Sequence, residues 1–291
     1  MNISEPKISE AIGFIKESLK EIYHETEIQS FIWIIFEKLM NFSKTDLHLA
    51  QDTKLSHSVI SEIEKITGRL KKQEPIQYIL GETEFYDLKF NVNPAVLIPR
   101  PETEELVHWI INDQPGFKGS ILDIGTGSGC IPVSLAKNIP DATVFAIDIS
   151  EEALNTAAQN ASLNEVTVYF MQMDILAGQN SSLDNKLDII VSNPPYVRDS
   201  EKKMMQDNVL DHEPHLALFV PDNEALKFYD AIASFAIGNL KPKGFLYLEI
   251  NEYLSAETAV LLESRNFVNI EIRKDINGRA RMIKAQLDSI W

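Results

Sequence analysis

The stretch Ile121-Leu122-Asp123-Ile124-Gly125-Thr126-Gly127-Ser128-Gly129-Cys130 restricts the folds open to this chain more than any other segment. Apolar residues lead into three alternating glycines and a helix-like run over 131–138 follows, so the segment reads as strand, tight loop and helix. Gly125, Gly127 and Gly129 allow positive φ and let a ligand approach the backbone, as in the first turn of a doubly wound parallel sheet. A dinucleotide fingerprint would place Gly or Ala at position 130, where Cys130 stands. A second strand over 142–147 ends at Asp148, nineteen residues beyond Gly129, a separation at which an acid reaches ribose hydroxyls. No G-x-x-x-x-G-K-[ST] pattern is present and no Lys or Arg lies between Ile121 and Ala136, which argues against a polyphosphate. A further strand-then-acid ending, Val168-Tyr169-Phe170-Met171-Gln172-Met173-Asp174, offers an acceptor for an adenine amine. S-adenosylmethionine meets all of these conditions.

A second motif adds a reacting group. The apolar run Leu187-Asp188-Ile189-Ile190-Val191-Ser192 is followed by Asn193-Pro194-Pro195-Tyr196. Each proline biases the residue before it toward extended backbone, so the loop is rigid. The Asn193 side-chain carbonyl and the Pro194 backbone carbonyl are then expected to point at one spot beside the Tyr196 ring. Two acceptors and a flat apolar face suit a planar NH2 group, whether a carboxamide or the exocyclic amine of a base. Taken alone the tetrapeptide could equally be a proline-rich turn closing a strand; the glycine loop upstream favours the binding role.

With these blocks in place the chain resembles the class I S-adenosylmethionine-dependent methyltransferases, and within them the release factor glutamine methyltransferases, the HemK or PrmC family. The resemblance rests on Leu97-Ile98-Pro99-Arg100-Pro101-Glu102-Thr103-Glu104, the glycine loop at 123–129, Asn193 to Tyr196, Glu213-Pro214-His215-Leu216-Ala217-Leu218, and Asp275-Ile276-Asn277-Gly278-Arg279-Ala280-Arg281. It implies a Rossmann-like seven-stranded α/β domain behind a small helical bundle. It also implies methyl transfer to the side-chain amide nitrogen (N5) of the glutamine in the GGQ motif of class 1 peptide chain release factors, leaving S-adenosylhomocysteine. Catalysis and substrate binding would fall to Asn193, Pro194 and Tyr196, with Pro195 alongside. The cofactor would lie against Gly125, Thr126, Gly127, Ser128, Gly129, Asp148, Asp174, Ile175 and Asn193. Ile175 and Leu176 stand where relatives often carry an aromatic, so adenine would pack on aliphatics. Asn251 replaces the usual glycine after Glu249-Ile250, and Ala280 stands where an acid is common. The resemblance further implies a cytoplasmic monomer. An N6-adenine or guanine-N2 nucleic-acid methyltransferase is the alternative, since it would use the same tetrapeptide on an exocyclic amine.

Composition narrows the choice. A chain of 291 residues, 44% hydrophobic, is long enough for two domains. Residues 1–80 lack strand alternation and read as a helical substrate-recognition bundle, with Ile8, Ile12, Ile15, Leu19 and Ile22 on one stripe and further helices over 27–42 and 58–72. The apolar run 31–36 is too short to cross a bilayer and reads as a core helix rather than a partner surface. Residues 81–98 form a hairpin linker, with strands at 84–86 and 88–92. A methyltransferase domain over 99–291 closes with strands at 245–250, 268–273 and 281–286. No signal peptide is expected. One cysteine excludes an internal disulfide, and Cys130 reads as a small buried hydrophobe. His212 and His215 lack a third ligand nearby, so no metal is expected. Arg100, Glu102 and Glu104 either cap a helix over 102–111 or shape the mouth of the pocket.

Residues 1–80 carry ten Lys or Arg against twelve Asp or Glu, so −2 of the net −16 lies there and −14 in the remainder. Such acidity opposes direct binding to nucleic acid. It complements the basic surface expected of a protein that works against ribosomal RNA.

Overall fold

The computed structural model describes residues 6–177, 186–205 and 207–288; residues 1–5, 178–185, 206 and 289–291, which fall inside the expected domains, lie outside the described residues. Contacts divide the chain into two units, one running to Gly81 and joined by 206–212, the other holding Glu82–Met205 and Glu213 onward.

The first unit is helical. α1 (Ile8–Leu19) buries Ile8, Ala11, Ile15 and Leu19, the three- and four-residue spacing of one helix face. Ile22 does not continue that stripe and is 40% exposed, because α1 ends at Leu19. Tyr23 turns inward instead, donating its hydroxyl to the Leu70 carbonyl at 2.8 Å and meeting Phe31 edge to face. α2 (Glu25–Met40) buries Phe31, Ile32, Ile35 and Phe36, so the apolar run is core. It ends at Asn41 in the left-handed region, and Ser43 caps the short α3 (Lys44–Leu49). α4 (His57–Leu70), capped by Ser56, and α5 (Ile76–Leu80), closed by Gly81 at φ 74°, complete the bundle core. Among the described residues no helix is long and apolar enough to cross a membrane.

In the second unit β1 (Glu82–Phe85) and β2 (Leu88–Asn91) form an antiparallel hairpin. Tyr86 and Asp87 both take positive φ, the turn that matches strand twist, so Tyr86 sits in the turn rather than in the first strand. Phe85 and Phe90 are buried in the same core as Val107 and Trp109 of α6 (Pro101–Asp113). The hairpin therefore packs on the sheet domain.

The chain then alternates through β3 (Ser120–Ile124), α7 (Cys130–Asn138), β4 (Thr143–Asp148), α8 (Glu151–Leu163), β5 (Tyr169–Gln172), β6 (Leu187–Ser192), β7 (Val197–Arg198), α9 (Asp207–His212), β8 (Phe219–Val220), α10 (Lys227–Asn239), β9 (Leu240–Glu249), α11 (Ser255–Ser264), β10 (Phe267–Lys274) and β11 (Ala280–Leu287). Seven strands form one sheet in the order β10-β11-β9-β6-β3-β4-β5, with β11 antiparallel to both neighbours, and β7 and β8 pair separately. Central strands such as Ile189-Ile190-Val191 are almost wholly buried, as a sheet covered on both faces requires.

Register positions the site. Ile124 stands beside Ile147 on one side and Ser192 on the other, and Ser192 beside Leu248. The next residues, Gly125, Asp148, Asn193 and Glu249, therefore lie together at the carboxyl edge of the sheet, Asp148 and Glu249 as the last residues of their strands, where strand order reverses and ligands of such sheets bind.

Candidate active site

The glycine loop folds back over the end of β4. The N–H groups of Gly125 and Thr126 both donate to the Ile147 carbonyl, at 2.9 and 3.1 Å. The Gly127 N–H donates to Asp148 Oδ2 at 2.8 Å, and the Ser150 N–H to Oδ1 at 2.9 Å. Gly125 and Gly127 have φ of 73° and 54° with nothing within 4 Å of an added Cβ, so conformation demands glycine there and the space lies open to a ligand. Gly129 differs, since its Cβ would lie 2.8 Å from the Ala157 Cβ. It lets α7 approach α8. The Asn160 carboxamide ties the loop to the hairpin, accepting from the Asn91 N–H at 2.7 Å and donating to the carbonyls of Asn91 and Ser128 at 2.9 and 2.8 Å.

Beneath this loop lies Asp123, fully buried, with neither carboxylate oxygen hydrogen-bonded. Burial lifts its pKa from an ordinary 3.8 to about 7, against the pull of the Thr126 hydroxyl and with a smaller push from the Asp148 charge. The buried Thr126 hydroxyl is set against this carboxylate and has no other partner. A buried acid and hydroxyl with no partner beyond each other, under an open loop, fit a ligand that brings polar groups and positive charge.

Loop and motif enclose a cavity of about 460 Å³. Gly125 to Ser128, Asp148, Asp174, Ile175 and Leu176 line one part, and Asn193, Pro194 and Pro195 another. Arg100 and Thr103 also reach its wall. Of the expected site residues, Gly129 and Tyr196 do not line it. Tyr196 packs against the apolar cluster of Leu122, Ile124 and Tyr229, and its hydroxyl donates to Glu249 Oε1 at 2.8 Å. Burial raises its phenol pKa well above the ordinary value, and the Glu249 charge adds to that.

Sequence reasoning missed several contributors. Glu249 is buried and also accepts from the Thr103 hydroxyl at 2.7 Å, while Asn193 Nδ2 donates to Thr103 Oγ1 at 3.1 Å. Glu249 ends a strand just as Asp148 does, so the signal was present. Arg100 forms no side-chain cap on α6; it pairs with Glu213 at 2.6 Å, whose side chain is 1% exposed and which also accepts from the Ile98 N–H at 3.4 Å. Glu104 accepts from the Tyr86 N–H at 3.0 Å. The Asn251 side chain is also engaged, donating to the Tyr196 carbonyl at 3.0 Å and to Glu201 at 2.9 Å. Phe228 and Ile232 of α10 add apolar wall that no motif announced. His212 lies 3.3 Å from the Lys72 carbonyl oxygen, and His215 sets its ring edge-on to Phe219.

A doubly wound seven-stranded sheet with its last strand antiparallel, a glycine loop braced by a strand-end acid and a cavity at the switch point define a class I methyltransferase. Residues 103–217 match the methyltransferase small domain and residues 10–81 the PrmC N-terminal domain. A methyltransferase from Pyrococcus furiosus shares the fold, with a TM-score of 0.51 at 15% identity over 78% of this chain and 97% of that one. The release factor glutamine methyltransferase of Flavobacterium psychrophilum is 53% identical, covering 92% of this chain and 95% of its own length. That of Bacteroides thetaiotaomicron is 44% identical, covering 94% and 98%. The chain belongs to the release factor glutamine methyltransferase family.

Proposed function

We propose that this enzyme methylates the side-chain amide nitrogen of the GGQ glutamine in class 1 peptide chain release factors, with S-adenosylmethionine as donor. The observation that carries the reading is the Asn193 carboxamide on the cavity wall, its NH2 donated inward to Thr103 and its carbonyl left as an acceptor beside Pro194. When bound, S-adenosylmethionine supplies an electrophilic methyl group on a sulfonium.

An amide lone pair is delocalised into its carbonyl, so the nitrogen is a weak nucleophile. Asn193 Oδ1 and the Pro194 carbonyl would accept its two hydrogens and hold the lone pair in line with the methyl, and orientation of this kind contributes several kcal/mol to a barrier. The same dipoles stabilise positive charge growing on nitrogen. The neighbouring carboxylate, Glu249, is engaged by two hydroxyls and is not poised as a base. Gly125 to Gly129 would cradle the methionine part, Asp148 the ribose, and Asp174 with Ile175 the adenine. Asp123 supplies negative potential beneath them, complementary to a cationic cofactor.

The same reading has the enzyme acting as a cytoplasmic monomer without a direct grip on nucleic acid, and the net charge of −16 supports the last point. The test is incubation with tritiated S-adenosylmethionine and a release factor, beside duplex DNA and ribosomal RNA. Mass spectrometry should find one added methyl group on the GGQ glutamine, and Asn193→Ala should lower transfer by about 10²-fold or more while the protein stays folded. Methylation of DNA or RNA with the release factor untouched would refute the reading in favour of a base methyltransferase.

A further inference from the structure

Four side chains from three parts of the second unit meet behind the cavity wall. Glu249 closes β9, Thr103 stands in the first turn of α6, and Asn193 and Tyr196 follow β6. Each oxygen of the buried Glu249 carboxylate receives one hydroxyl, Oε1 from Tyr196 at 2.8 Å and Oε2 from Thr103 at 2.7 Å. Asn193 Nδ2 completes the chain on Thr103 Oγ1 at 3.1 Å.

The chemistry of these groups gives the chain one direction. A carboxylate only accepts hydrogen bonds, and a hydroxyl has one hydrogen to give. Thr103 commits that hydrogen to Glu249, so only lone pairs remain to face Asn193. A carboxamide presents NH2 on one arm and C=O on the other, and only the NH2 arm can meet a lone pair. With Nδ2 turned inward, Oδ1 is turned to the cavity that Asn193 lines. The flipped amide would set Oδ1 against Thr103 Oγ1, acceptor against acceptor. It would also aim NH2 at an incoming NH2. We propose that Glu249 and Thr103 are positioning residues that fix which way round the Asn193 carboxamide stands, and so keep its carbonyl, not its NH2, facing the substrate amide; this rests on the function proposed above. Burial holds the Glu249 carboxyl above its ordinary range, and the two hydroxyl donors and the Arg281 guanidinium offset only part of that push. Tyr196 serves from behind the wall, by holding the second oxygen of Glu249.

The experiment compares Thr103→Val, which keeps the shape and removes the hydroxyl, with Thr103→Ser, which keeps the hydroxyl, and adds Glu249→Gln, which introduces a donor. Thr103→Val and Glu249→Gln are expected to lower kcat on the intact release factor by about 10²-fold, with KM and S-adenosylmethionine affinity within about twofold of native. Thr103→Ser should stay within about threefold. Thermal melting identifies any variant that fails to fold. An independent readout needs no turnover: in 15N NMR of the native protein, one proton of the Asn193 side-chain NH2 should exchange slowly, and that protection should survive Thr103→Ser and vanish in Thr103→Val. Native-like kcat in folded Thr103→Val, an equal loss in Thr103→Ser, or an unprotected native Asn193 NH2 would each overturn the proposal. A native protein that shows the protected NH2 yet leaves the release factor unmethylated would instead sink the function and leave the relay standing.

Discussion

Asp123 is the residue whose environment is least comfortable. It is buried beside no cation and ionises at about 7 when folded, against 3.8 ordinarily. Between those values the folded chain holds a proton that the unfolded chain has released, so stability falls as pH rises through the window and stays lowered above it. Asp123→Asn cannot ionise. The melting temperature of the cofactor-free variant should exceed that of the native protein at about pH 8, and the gap should close as pH falls toward about 4. A scanning-fluorimetry series in which the gap is flat with pH would remove the titration from the account. Cofactor binding should weaken in the same variant, because the negative potential under the loop is lost. Asp148 offers a second test at this scale. Its carboxylate already accepts from the Gly127 and Ser150 N–H groups, so Asp148→Ala removes a brace of the loop along with a candidate ribose acceptor. Calorimetry should show S-adenosylmethionine binding weakened by about 1.5 to 3 kcal/mol. Unchanged affinity would take Asp148 out of the site.

Elements are held together here by a few polar pairs that bridge distant segments. Arg100 enters α6 and Glu213 follows α9, and loss of Arg100 would leave Glu213, 1% exposed, as a buried carboxylate without its cation. Arg100→Ala should therefore cost about 2 to 4 kcal/mol in urea unfolding, and Arg100→Lys should recover only part because the single ammonium lacks the planar fork. An unchanged midpoint in Arg100→Ala would show that water reaches the orphaned carboxylate. Pairs of this kind explain what was legible in the sequence. The glycine loop, the strand-end acids at 148 and 174 and the rigid tetrapeptide are local patterns, and all but Gly129 and Tyr196 reach the cavity. The sheet strands were legible because alternation and burial set them. The short helices α3 and α5, six and five residues long, were not, since capping and packing rather than periodicity make them. The Thr103–Glu249 bond spans 146 residues and exists only because α6 packs against β9. The flat ring of Tyr196 suggests a face for the substrate NH2, whereas its contacts in the structure are the bond from its hydroxyl to Glu249 and an apolar cluster, neither of which a local pattern encodes.

For the molecule as a whole, the substrate is expected to be recognised by far more than one side chain. A short GGQ peptide fills the acceptor site but forgoes binding energy from the rest of the surface that would orient the amide. The intact release factor should outperform the peptide in kcat/KM by about 10²-fold or more. With −14 of the charge beyond residue 80, that advantage should shrink as salt is added. Equal kcat/KM for peptide and protein would confine recognition to the cavity.

The antiparallel β11 carries a consequence for the order in which the molecule can be completed. It lies between β9 and β10 yet follows both in the chain. As synthesis proceeds from the amino end, β9 emerges with one side unmatched and stays so until β11 arrives. An apolar strand with an open hydrogen-bonding edge is a template for pairing with another chain. Arg281, whose guanidinium sits 5.9 Å from the Tyr196 ring and helps to offset the buried Glu249 charge, also arrives with β11. A nascent chain therefore carries the glycine loop and the tetrapeptide before it can shield its own sheet. Birth of the catalytic machinery waits on one of its later strands.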